Sequence, residues 1–295
     1  MSTRREYSFQ SRGPLLPRGA HRVALISAAL VLLVGGLVAC EPVPVHWAGD
    51  EAEAAAPVLP ASEDATVRDA PPLDTLRCEG SLRSVMTTRG RRVATWWSRK
   101  DAVSGVPQVR LLAAWQDTTV RPALAWEAPL AIDTLDQGPA DAQAVERGDF
   151  GCARPAPSIA VDSVNGFVHV TYALRGPEGT GIFYAHQMDP RAAFELPVAI
   201  LYGERLGASA VASDGDVVAV AYEDPNGRTT ATVGVAVSKT AGHLFEQRLA
   251  ASIPAKSAVD PEVAVRGRSV TVGWRDPSAA SGRPAYRVRR AQVEP

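Results

Sequence analysis

Three thiols, at Cys40, Cys78 and Cys152, have the widest covalent chemistry in this chain: acylation, disulfide formation or metal ligation. Cys40 follows an uncharged run, residues 23–39, which is itself preceded by Arg4, Arg5, Arg12, Arg18 and Arg22 against a lone Glu6. Basic residues, an apolar stretch, small residues and then a break follow the order of an export signal. The run is at the short limit for crossing a bilayer, so a plain transmembrane anchor is the competing reading. No histidine lies near Cys78 or Cys152 at ligand-like spacing, which argues against a metal centre on those thiols. His46, His169, His186 and His243 are scattered along the chain, and no Ser-His-Asp set assembles from spacing alone. Neither a metal nor a cofactor is expected. His169 alternates with Val168 and Val170 and therefore faces away from the side that those two share.

The residues Leu37-Val38-Ala39-Cys40 resemble the lipobox of bacterial lipoproteins: a branched residue, two smaller ones, then cysteine. The resemblance implies diacylglycerol on the Cys40 thiol, cleavage just before it, and a mature chain that starts at residue 40. It also implies an extracytoplasmic protein held to a bacterial membrane, the outer membrane or one facing the periplasm, by more than one acyl chain. With Cys40 lipidated, Cys78 and Cys152 remain as a pair in an oxidising compartment, where a disulfide is expected. Such a bridge would close a loop of about 75 residues, worth about 3–4 kcal/mol if unstrained. Two unrelated buried thiols are the alternative.

The whole chain carries a net charge of −1, and removing the arginine-rich leader leaves about −5. Nucleic acid is therefore not an expected partner, because that affinity comes mainly from a basic surface. Residues 40–75 hold six prolines and eight acidic residues against Arg68 alone, without a recurring apolar period. A segment of this composition buries too little to offset its ordering entropy and is expected to form a disordered acidic tether.

The pattern changes at residue 76, where a folded domain is expected to run to 295. Ile159-Ala160-Val161 and residues 167–172 flank the turn at 163–166. Val211 and residues 217–222 flank Ser213-Asp214-Gly215-Asp216, and residues 263–265 and 269–274 flank Arg266-Gly267-Arg268. These are β-branched hairpins with turn residues where the chain reverses. Asp214-Gly215-Asp216 resembles part of a calcium loop but lacks the later glutamate, so it reads as a hairpin turn. Each second strand ends in an aromatic, at Trp97, Tyr172, Tyr222 and Trp274. A further aromatic followed by glutamate recurs at Trp126, Phe194 and Phe245. Repetition near 50 residues with four strands per unit points to the blades of a β-propeller, with a β-sandwich as the alternative. The fourth unit ends before its outermost strand, and a strand at Leu76 to Arg83 is expected to complete it, since open sheet edges invite unwanted pairing.

The unit of residues 157–162, 167–172, 182–185 and 194–197 resembles a blade of the sialidase-like, Asp-box β-propellers. In the third unit Ser238, Gly242 and Phe245 match the box, while Thr240 and Leu244 replace its aspartate and threonine. In the second unit Asp189 and Phe194 match. The resemblance implies about four sialidase-like blades over 76–295. In exo-sialidases three arginines grip the substrate carboxylate beside a tyrosine–glutamate pair and an acid/base aspartate. Arginine suits that task because its planar fork bonds both oxygens. Arg83, Arg275 and Arg287 are the candidates, with Arg289 sharing a strand face with Arg287. Tyr222 and Glu223 are adjacent and so point to opposite faces. Of Trp96 and Trp97, one ring is expected in the core and the other outward, where it would stack on sugar or make a contact between blades. The boxes are degenerate and no catalytic set can be placed, so a non-catalytic binding module for glycan or protein is the leading expectation. An exo-sialidase-like glycoside hydrolase is the alternative.

Overall fold

A computed structural model describes residues 45–55, 57–58, 75–88, 90–100, 107–117, 125–138, 151–189, 192–227, 230–254, 256–278 and 285–295. The leader, Cys40 and the greater part of the expected tether lie outside these residues. Every regular element among the described residues is a strand, as the β-branched hairpins require.

Two short strands come first, β1 (Val45–Trp47) and β2 (Ala52–Ala54). Sheet 1 contains β3 (Arg83–Met86), β4 (Arg92–Lys100), β5 (Gln108–Asp117), β6 (Ala125–Trp126) and β7 (Leu130–Asp133). Sheet 2 contains β8 (Ser158–Val161), β9 (Val168–Gly176), β10 (Gly179–Gln187) and β11 (Val198–Gly203). Sheet 3 contains β12 (Ser209–Asp214), β13 (Val217–Glu223), β14 (Val233–Ser238) and β15 (Gln247–Ala250). The last strands are β16 (Val259–Arg266), β17 (Ser269–Asp276) and β18 (Ala285–Val293). These three form sheet 4 together with β1 and β2. Sheets 1 to 3 are antiparallel meanders of consecutive strands, and every sheet is four strands wide. In sheet 1 the outer edge is split, with β6 and β7 both pairing with β5.

Sheet 4 corrects the expected closure. Its outer edge is supplied by β1 and β2, both antiparallel to β18, with Val45 opposite Val293 and Glu53 opposite Arg287. Leu76 to Arg83 lies instead in sheet 1: the Arg99 amide donates to the Leu76 carbonyl (2.8 Å), Arg77 bridges Ser98, and Arg83 opens β3. Residues 45–47 and 52–54 thus form strands rather than tether. Composition gave no sign of this, because the ladder partners of these residues lie at the far end of the chain.

Alternation along the strands sorts the side chains into apolar layers between sheets. Val93, Trp97, Val109 and Leu111 of sheet 1 pack on Val168, Val170, Tyr172 and Leu174 of sheet 2. The opposite face of sheet 2, with Ile182, Tyr184 and Ile200, meets Val211, Val218, Val220 and Tyr222 of sheet 3. The other face of sheet 3, with Ala219, Val235 and Val237, meets Val263, Val270, Val272 and Trp274 of sheet 4. The remaining face of sheet 1 holds Ala94, Trp96, Leu112 and Ala114. Trp96 and Trp97 are both fully buried, so neither ring is available to stack on a sugar.

Polar links reinforce the layers. Cys78 and Cys152 form a disulfide that joins the segment before β3 to the segment before β8. Beside it the Arg154 guanidinium donates to both oxygens of Asp136 (3.0 and 3.1 Å), and both side chains are excluded from solvent. The Tyr172 hydroxyl donates to Asp133 across sheets 1 and 2 (2.7 Å). At the hairpin ends, Asn165 donates to the Gly215 carbonyl and Gly267 N–H to the Asp214 carboxylate, which makes Asp214 a brace between turns.

Candidate functional site

The first strands of all four sheets contribute to one cavity of about 620 Å³. Its wall includes Arg83 and Ser84 of β3, Ser158 and Ile159 of β8, Ser209 to Val211 of β12, and Asp260 to Glu262 of β16, together with Glu223 from the end of β13. β-Meander geometry explains the convergence. The lining residues lie at or near the starts of β3, β8, β12 and β16, so the four strand starts open towards a shared space.

The charged groups here are largely committed to the backbone, with Asp260 and Arg275 paired to each other. Glu223 accepts from the amides of Asp260 (3.0 Å) and Ala208 (3.3 Å), which braces the starts of β16 and β12. Glu262 accepts from the Val58 amide (2.7 Å). Asp260 accepts from Arg275 Nε (2.7 Å) and sits at a register shift in the left-handed region, with φ of 53°. Aspartate tolerates that region better than most residues. Arg83 donates to the carbonyls of Gly80 and Leu82 (3.0 and 2.8 Å). The cavity thus offers fixed dipoles and paired charges to a polar ligand.

The sequence candidates divide accordingly. Arg83 lines the cavity, and Arg275 reaches it through Asp260. Arg287 does not. Its Nε faces Glu51 (3.7 Å) and Asp276 (3.8 Å), while Arg289 lies over the Trp47 ring (4.4 Å) and donates to the Gly49 carbonyl. These two arginines share a face, as expected, but that face fastens the N-terminal strands. Among the described residues, no tyrosine lines the cavity. Tyr222 turns into the core between sheets 2 and 3, where burial pushes its hydroxyl up to about 12. Glu223, its neighbour, faces the cavity, as strand alternation requires.

Histidines that look scattered in the sequence gather at the outer ends of sheets 2 and 3. His169 and His186 are register partners on β9 and β10, and the Tyr184 hydroxyl lies 2.6 Å from His169 Nδ1. Burial pulls the His169 imidazolium down to about 4. His243, on the β14–β15 turn, places its ring edge-to-face on that of His186, with centroids 4.8 Å apart. The signal was a register coincidence across strands, which spacing along the chain does not reveal.

No protein-family profile and no curated protein matches this chain. Solved structures do. A Hadza microbial sialidase matches at 16% identity and a TM-score of 0.41, over 66% of this chain and 42% of its own. The GH93 α-L-arabinofuranosidase of Fusarium graminearum, in complex with arabinobiose, matches at 12% and 0.46, over 76% of this chain and 66% of its own. The NanB sialidase of Streptococcus pneumoniae matches at 9% and 0.43, over 71% of this chain and 49% of its own. The chain therefore spans between about two fifths and two thirds of these three proteins.

Proposed function

We propose that this chain is a lipid-anchored, extracytoplasmic β-propeller of four blades that binds a glycan or a protein at the cavity formed by its first strands, without turning it over. The observation that carries this reading is the commitment of the cavity carboxylates. Glycoside hydrolysis requires one carboxyl group to move a proton and a second to attack or to activate water. Here Glu223 and Glu262 hold backbone amides and Asp260 holds Arg275, so each serves as a brace. Braced dipoles and guanidinium groups suit recognition of sugar hydroxyls or peptide carbonyls. Convergence of the four sheets on one space supports the propeller over the sandwich, in which two sheets pack face to face.

Binding is tested by screening the purified chain against immobilised envelope glycans and against a fluorogenic sialoside. Capture that Arg83→Ala weakens about tenfold, with no fluorophore released, is the expected result. Turnover of the sialoside that Glu223→Gln abolishes would establish the hydrolase instead. The anchor is tested separately. Radiolabelled palmitate should enter the wild-type chain and not the Cys40→Ala variant, and equal labelling of both would remove the anchor from this reading.

A further inference from the structure

We propose that His186, Glu195 and His243 form a binding site for one divalent transition ion of the zinc type, bridging the outer turns of sheets 2 and 3. His186 lies one residue from the end of β10. Glu195 follows in the β10–β11 connection, where its amide donates to the His186 carbonyl (2.9 Å). His243 is carried by the β14–β15 turn of the neighbouring sheet. Glu195 Oε2 lies 3.2 Å from His186 Nε2 and 3.8 Å from His243 Nδ1, and the three donor atoms all fall within 4.8 Å of one another. Zinc bonds nitrogen and oxygen at about 2.0–2.2 Å, which sets tetrahedral donors roughly 3.3–3.5 Å apart. Two of the spacings are already close to that range. A shift of about an ångström at His243, whose side chain is half exposed on a turn, brings in the third.

A second observation is independent of this clustering. The His186 side chain is only 5% exposed, yet its Nε2 has no hydrogen-bond partner. Glu195 Oε2, 3.2 Å away, pairs with this nitrogen as an ion only when the ring is protonated. A buried polar nitrogen without a partner is costly, and a Lewis acid in the lone-pair direction would satisfy it.

The surroundings hold the ligands in place. Ser238 Oγ accepts from the amides of Thr240 (3.2 Å) and Gly242 (3.1 Å), and Thr240 Oγ1 accepts from Leu244 (2.9 Å), which shapes the turn that presents His243. Gly242 has a φ of 94°, and a Cβ there would overlap the Tyr184 hydroxyl, so the turn is seated directly on sheet 2. Two imidazoles and one carboxylate select zinc or a neighbouring transition ion over calcium or magnesium, which take oxygen sets. Three protein ligands leave a position for water on the solvent side. The ion would tie sheet 2 to sheet 3 at the rim, as the disulfide ties sheet 1 to sheet 2.

The test uses the untagged full chain in mild detergent, stripped with EDTA and titrated calorimetrically with zinc chloride at about pH 7.5. One ion per chain, a raised Tm, and loss of binding below about pH 6 are expected. His243→Ala and Glu195→Gln, both at partly exposed positions, should each weaken binding by about tenfold or more. Their metal-free Tm and circular dichroism should match those of the wild type. No uptake by the wild type, or uptake unchanged in both variants, overturns the site. Displacement of zinc by an equal concentration of calcium overturns the assignment of the ion.

Discussion

Asp133 shows how one side chain can bind two sheets and make stability depend on pH. Its carboxylate accepts from the Tyr172 hydroxyl and from the Leu135 amide, both at 2.7 Å. Burial holds its carboxyl above the ordinary value of 3.8, with the two hydrogen bonds opposing. The native state therefore holds this proton more tightly than the unfolded chain does. The stability this gives is fully present below about pH 3.8 and is lost as pH rises through the raised native value. Urea midpoints of the wild type and Asp133→Asn, measured between about pH 3.5 and 7, should diverge in favour of the wild type as pH falls. A constant difference across that range would contradict the buried carboxyl.

At the scale of the elements, the junction of sheets 1 and 2 concentrates the polar links. The Arg154 guanidinium lies over the Trp97 ring at 4.8 Å and grips Asp136, whose Oδ2 also accepts from the amides of Val109 and Gly138. The Cys78–Cys152 disulfide lies alongside. Breaking a buried pair leaves a charge without water or partner, so Asp136→Ala should cost about 3–5 kcal/mol in urea unfolding. Adding Arg154→Met removes the stranded charge and should recover part of that loss. A double variant as unstable as the single one would show that Asp136 acts through its amide bonds alone.

For the whole molecule, sheet 4 depends on both ends of the chain. Val45 packs in the core shared by sheets 3 and 4, Glu51 is held by Arg287, and Trp47 lies under Arg289. A chain beginning at residue 76, where the folded domain is expected from sequence, would bare the edge of β18. Such an edge is a template for pairing with other chains. That truncation should lower Tm and raise light scattering relative to a chain beginning at residue 43. Equal behaviour would mean that β1 and β2 are dispensable.

The hairpins, their turns and the face on which each strand residue lies were legible in the chain alone. His169 does face away from Val168 and Val170, Tyr222 and Glu223 do divide between core and cavity, and the two cysteines do pair. The strand faces follow from alternation and turn chemistry, which act between neighbours along the backbone, and the thiol pairing was expected from the lipobox resemblance, which sets Cys40 aside. Tertiary structure decided which strand closes sheet 4, why Arg287 serves that strand instead of the cavity, why Trp96 is buried, and how His186, Glu195 and His243 meet. All but the burial of Trp96, which is packed by its own sheet, join residues from separate sheets or from distant parts of the chain. Their proximity is set by the order in which sheets stack, and a pattern that repeats every 50 residues is silent about it.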